Sequence, residues 1–305
     1  ALKDKLNELI AQAASASGVE AKYALIQEFS KIFNEIILCK RAYVQLFAAQ
    51  ASLEEALIGL STLISEEEFE NLSNMVIDLQ IGYADGIYST EEALAKVAEI
   101  YALDMMPEIV DGVYQLSTKM HMVAFSAIAN KLDNKANAVM LNDIDMSEVD
   151  FQPIGNDVAG HRYSGTFDGQ GHKFMNLSVN WGGNYFGLFG CVGAGAVIKN
   201  FIIDNSCYIF GTGSYGGIIG GSNEAGTITI QQLGMEGTIE TANVEAAGII
   251  GCNMGSTATF HIENCYVTGQ VIGNGNMAAI CAWTGGKGHV KNCWSISEIQ
   301  NYDGA

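Results

Sequence analysis

The sequence predicts a chain in two parts: an N-terminal α-helical bundle followed by a right-handed parallel β-helix. Two observations carry this. The first is a break in composition near Lys135: residues 1–135 hold only Gly18, Gly59, Gly82, Gly86 and Gly112 of the 35 glycines, and 10 of the 15 Lys and Arg. The second is a phrase that recurs four times after the break, as YFGLFG at 185–190, YGGIIG at 215–220, AAGIIG at 246–251 and MAAICA at 277–282. From Gly187 to Gly217, Gly248 and Ala279 the steps are 30, 31 and 31 residues, a fixed period of the kind that marks solenoids.

The expected boundaries are 1–118 for the bundle and 119–305 for the solenoid. In the first part Leu25, Phe29, Ile32, Phe33, Ile36, Tyr43, Leu46 and Phe47 recur at three- and four-residue steps. Such spacing lays an apolar stripe along one helix face. Ser52-x-x-Glu55, Ser65-x-x-Glu68 and Ser89-x-x-Glu92 each fit a capping box at a helix start. Gly18 suits a helix end, and Pro107 is expected to kink or restart the last long helix. Four or five helices result. A further amphipathic stretch, HMVAFSAIANKLD at 121–133, is read as a helix near 120–132 that covers the first edge of the solenoid, because a bare sheet edge invites aggregation.

In the second part each opening phrase is followed by another: VIKNFIID, ITIQQLGM, HIENCYVT and HVKNCWSI. β-Branched and aromatic residues alternate there among many glycines, which favours strands. About three short strands and three turns fill one period, and successive coils pair edge to edge, about 4.8 Å apart. The hand is the usual one for parallel crossovers. Register sorts the residues by face. Phe201, Leu233, Cys265 and Cys293 point inward, as do Ile203, Met235 and Val267. Asn200, Gln232, Asn264 and Asn292 form an amide column that is expected to bond along the axis, as stacked amides do in cross-β ladders. Ile202, Gly234, Tyr266 and Trp294 face outward. The two adjacent apolar columns of the opening phrase, Leu188/Ile218/Ile249/Ile280 and Phe189/Ile219/Ile250/Cys281, can both be buried only if the glycines bend the chain there.

LNDIDMSEVDFQPIGN, then YSGTFDGQGHKFMNLSV, then the Gly-Leu-Phe-Gly type repeats, resemble the GLUG-repeat proteins over roughly 123–300. The resemblance implies a right-handed parallel β-helix and a bacterial cell-surface or secreted address. The helical part resembles, more loosely, bundles that precede such repeats. The fourth repeat departs from the pattern, with alanines in place of its glycines. GLUG repeats are also similar to segments of an immunoglobulin-cleaving metalloprotease family, whose His-Glu-x-x-His zinc motif is missing from this sequence.

Charge and motifs narrow the function. A net charge of −19 argues against nucleic acid and anionic membrane surfaces, which call for basic patches. No run of 18 apolar residues is present to span a bilayer. The chain begins at Ala1 and shows no signal peptide, so an excised piece of a larger polypeptide, with further domains, is expected. His121, His161, His172, His261 and His289 are scattered and read as surface or turn histidines. The seven cysteines include no C-x-x-C, and buried free thiols are expected rather than a disulfide framework. Glycoside hydrolysis needs two facing carboxyls, and no two repeat acids share a column. Asp143, Asp145 and Asp168 are given turn and capping roles, with calcium ligation as the alternative reading. No cofactor is expected.

Two function classes stay open: a non-enzymatic binding, adhesion or stalk module that takes a glycan or a host or cell-surface protein, and a carbohydrate-active β-helix enzyme such as a polysaccharide lyase or hydrolase. The residues that favour the first are Tyr266 and Trp294 on adjacent coils, with Trp283 on the last coil. Aromatic faces stack on sugar rings or anchor a protein partner.

Overall fold

The computed structural model describes residues 2–255 and 257–302; Ala1 and residues 303–305, the ends of the two expected domains, lie outside the described residues. Helices come first: α1 (Leu2–Ser15), α2 (Val19–Leu60), α3 (Glu66–Ala84) and α4 (Thr90–Tyr101), followed after a short hairpin by α5 (Lys119–Lys131). Packing divides the chain into two units, Ala1–Ala51 with Asn74–Glu99, and Ser52–Ser73 with Ile100–Ala305.

Within the first unit Leu9, Ile32, Leu46, Val76, Leu79, Ala93 and Val97 are buried. Asp78 accepts hydrogen bonds from Tyr88 at 2.9 Å and from Lys96 at 2.7 Å, and the Lys96 ammonium lies 4.6 Å from the Tyr88 ring centre. The apolar stripe of α2 is wider than what it buries: Phe33 and Phe47 are 63% and 66% exposed. Gly18, at φ +93°, separates α1 from α2. Two of the three capping boxes form. Ser65 N donates to Glu68 at 2.9 Å while Glu68 N donates back to the Ser65 hydroxyl, and Ser89 and Glu92 repeat the exchange. The third does not. Ser52 lies inside the 42-residue α2, where the backbone amides already have helical partners, and its buried hydroxyl instead meets the Tyr114 hydroxyl at 2.6 Å. Pro107 kinks no helix; it falls between α4 and the strand Ile109–Val110.

The second unit carries the parallel β-solenoid. Its longest sheet runs Val113–Leu116, Asn137–Met140, Thr166–Met175, Val197–Ile203, Gly226–Met235, Ala258–Glu263, Lys287–Lys291, with every neighbouring pair parallel. A second sheet stacks Phe189–Cys191, Ile219–Ser222, Ile250–Asn253 and Cys281–Thr284, and a third stacks Ser178–Trp181, Tyr208–Gly211, Thr238–Thr241, Gln270–Gly273 and Glu298–Asn301. One strand from each face makes a coil, so there are about five coils. The step differs by face. Along the second sheet Phe189, Ile219, Ile250 and Cys281 are partners, at steps of 30, 31 and 31 residues. In the long sheet Ile202, Gly234, Tyr266 and Trp294 are partners, at steps of 32, 32 and 28. These changes of step fall in the turns; a further one falls inside Thr166–Met175, whose register against Val197–Ile203 shifts between Asp168 and His172.

Both apolar columns of the repeated phrase are inside over the first three repeats: Leu188, Ile218 and Ile249, and Phe189, Ile219 and Ile250, are fully buried. The strands begin only at Phe189, Ile219 and Ile250, so the residue before each strand sits at a corner and can face inward together with the first strand residue. Gly187 makes the corner possible, since a Cβ there would lie 2.2 Å from the Gly217 carbonyl oxygen. The core is aromatic. Phe167 packs against Phe174, Phe189 and Phe201 at ring-centre distances of 6.3, 5.3 and 5.7 Å. α5 closes one end of this stack, with Phe125 6.1 Å from Phe167 and 6.3 Å from Tyr163. Thr118 caps α5 by accepting from His121 N at 3.2 Å.

Candidate functional site

The long sheet bends once per coil. Ile198 and Phe201 are both buried, as are Ile230 and Leu233, and Ile262 and Cys265. That inward spacing of three breaks the two-residue alternation of a flat strand. The residue between supplies the correction by adopting a left-handed backbone: Gln170 (φ +52°), Asn200 (+63°), Gln232 (+54°), Asn264 (+57°) and Asn292 (+53°). Asparagine tolerates this region better than most residues with a Cβ. The amide column is therefore the bend itself. One pair bonds along the axis as expected, Asn292 Nδ2 donating to Asn264 Oδ1 at 3.2 Å, and Asn200 Nδ2 donates to Asp168 Oδ1 at 2.8 Å.

Beside the bend runs an open groove of about 640 Å³, lined by Asp168, Gln170, Gly171, Asn200, Phe201, Ile202, Gln232, Asn264 and Tyr266. Asp168 also accepts from Gln170 N at 2.9 Å and lies 3.1 Å from the Lys199 ammonium. Partial burial pushes its pKa up, but the bonds from Asn200, Gln170 N and Lys199 outweigh this and hold it below the ordinary carboxylate value.

Tyr266 and Trp294 come together as the spacing suggests. They are partners in register, and their rings stack at 5.2 Å with 10° between planes. The Tyr266 hydroxyl donates to Glu236 Oε1 at 2.6 Å, and partial burial and then this carboxylate raise its pKa. The ring reaches Glu236 by lying across Gly234, where a Cβ would stand 2.5 Å from the Tyr266 ring. Glycine in the outward column is thus what lets the ring lie flat. Trp294 is 53% exposed. Trp283 is on the same coil but on another face, paired with Cys252 in the second sheet, and is not part of the stack. His261 and His289 form a second stacked pair on the long sheet, at 4.9 Å.

The three aspartates considered for calcium have separate partners. Asp143 accepts from Lys173 N at 3.0 Å and contacts His172, while Asp145 accepts from Ser147 N and Asn176 Nδ2, each at 2.9 Å. Among the described residues no three His, Cys, Asp or Glu side chains are grouped to hold a metal ion. The cysteines are free thiols, and Cys191, Cys207, Cys252 and Cys265 are buried. Burial pushes Cys207 up to about 11 and Cys191 and Cys265 up to about 12, which leaves them weak nucleophiles. His121 departs from the surface reading: it is 5% exposed on α5.

Sequence reasoning gave the amides a structural role and missed the groove above them. The signal was present in the odd spacing of the inward columns, which requires a bend and turns the intervening side chains outward.

No family model matches the chain, and no solved structure matches it. The GLUG likeness therefore stands on the residues quoted above. A stretch of 102 residues, 33% of the chain, is 37% identical to Halomucin of Haloquadratum walsbyi (strain DSM 16790 / HBSQ001), and the match spans about 1% of that protein's length.

Proposed function

We propose that this chain is a non-enzymatic binding or adhesion module of GLUG-repeat type, belonging to a bacterial cell-surface or secreted protein and taking a glycan or a surface protein as partner. The observation that carries the reading is the Tyr266–Trp294 stack: two rings stacked in nearly parallel planes, one fixed by Glu236, the other half in solvent. A rigid aromatic face offers large apolar area at little entropy cost on binding. The acid–base alternative finds less support. Among the described residues Asp168 is the one carboxylate lining the groove, and its oxygens are taken by Asn200, the Gln170 amide and Lys199. It is held ionised, with no proton to donate to a leaving group.

A glycan array, run alongside a panel of immobilised surface proteins, tests the proposal. The wild-type chain is expected to capture at least one class of ligand. Trp294→Ala is expected to weaken that capture by about tenfold or more, while leaving the melting temperature nearly unchanged, because the removed ring is mostly exposed. Equal capture by the variant, or release of reducing or unsaturated ends from a polysaccharide by the wild-type chain, overturns it.

A further inference from the structure

We infer that the groove beside the amide column binds an extended, neutral, β-linked pyranose chain lying along the solenoid axis, one sugar per coil. This rests on the glycan branch of the binding proposal and names its ligand and its register.

Four observations lead there. The groove presents the same chemistry on successive coils, from Gln170 to Asn200, Gln232 and Asn264. Coils in a parallel sheet are about 4.8 Å apart, close to the length of one pyranose in an extended β-1,4 chain. Each carboxamide offers both donors and an acceptor, which is what a pair of sugar hydroxyls requires. Asn200 and Asn264 are already tied to Asp168 and Asn292. The side-chain amides of Gln170 and Gln232 line the groove, exposed to solvent, and make no hydrogen bond to another side chain or backbone group among the described residues.

The charge selects a neutral chain. The groove contains an ionised Asp168, the nearby Lys199 is paired with it, and the protein carries −19 overall, so uronates and sulfated sugars are repelled. An extended peptide is a poorer fit. The strands flanking the bend, Val197–Ile203, Gly226–Met235 and Ala258–Glu263, are paired on both sides, so their backbone groups are unavailable for strand addition.

The test is calorimetric titration of the whole chain with β-1,4-linked gluco-, manno- and xylo-oligosaccharides of two to six units, with a β-1,4-linked oligomannuronate series beside them. In at least one neutral series affinity is expected to rise with length up to four units, one per groove amide, and then level off; the uronates are expected not to bind. Gln232→Ala and the equal-sized Gln232→Glu are each expected to weaken the tetrasaccharide by about tenfold. Gln232 is exposed, so neither change threatens folding. Absence of binding in all three neutral series, affinity independent of length, or unchanged affinity in both variants overturns the inference. If Trp294-dependent capture persists on the array while the groove titrations are silent, the groove assignment falls and the binding module stands. If the titrations succeed while the array shows no dependence on Trp294, the aromatic stack falls and the groove stands.

Discussion

At the scale of single residues, His121 shows how burial sets a charge. Its Nδ1 accepts from Ser117 N at 3.1 Å, so that nitrogen carries no proton, while Nε2 lies 3.5 Å from Asp104 Oδ1 and lacks a hydrogen-bond partner. Burial lowers its pKa, and the Asp104 carboxylate only partly opposes this. An unfolded histidine titrates at ~6.5. Between that value and the lower folded one, the unfolded chain binds the extra proton, so stability rises with pH there. Stability is therefore expected to fall as pH drops below ~6.5 toward the folded pKa, and His121→Gln is expected to flatten that part of the profile. Urea midpoints for both proteins across this range check it; a wild-type profile no steeper than the variant's would contradict the assignment. Gly234 makes a related point in the opposite direction. Its missing side chain, and not any group it carries, is what places the Tyr266 ring.

At the scale of elements, the three Ser-x-x-Glu motifs have identical local chemistry and different fates. Ser65 and Ser89 satisfy orphan amides at the starts of α3 and α4. Ser52 does not, because the apolar pattern of α2 continues through it and a hydroxyl partner waits on Tyr114. Ser65→Ala and Ser89→Ala are each expected to cost about 1 kcal/mol, the usual loss of an N-cap. Ser52→Ala leaves the buried Tyr114 hydroxyl unpaired and is expected to cost about 1–3 kcal/mol. Denaturant unfolding of the three variants orders them; a Ser52→Ala cost below both caps would count against the buried bond. The repeated coil behaves likewise. The glycines of the apolar phrase mark a corner, and the amides of the second phrase mark a bend, so two composition signals in one period specify two different turns.

At the scale of the whole solenoid, each coil buries its apolar columns only against the next, so the ends decide stability. α5 supplies one end: Phe125 reaches the aromatic stack, Ser126 Oγ donates to the Gln152 carbonyl at 2.8 Å, and Asn130 Oδ1 accepts from Gly155 N at 2.7 Å. Phe125→Ala is expected to cost about 3–5 kcal/mol and, by loosening the cap over a long parallel sheet, to raise aggregation on heating. Differential scanning calorimetry with light scattering reads both, and an unchanged melting temperature would show that α5 is dispensable as a cap. At the last described coil Val290, Trp294 and Ile299 are exposed, although they share columns with residues that are buried or half-buried one coil earlier.

What the sequence by itself determined is periodic: helices, then a parallel solenoid, its inward columns, its stacked amides and the Tyr266–Trp294 pairing. Periodicity is legible because each coil meets the same neighbours at the same offset, so one register fixes many contacts. What only the tertiary structure decided depends on contacts without a period. Ser52 was claimed by Tyr114 62 residues away, His121 was buried by the cap it belongs to, and Trp283 was turned onto a different face from Trp294 by a corner between them. The groove lies between the two kinds: the three-residue spacing of the inward columns requires the bends that line it, and only the structure shows that Gly234 leaves room beneath Tyr266.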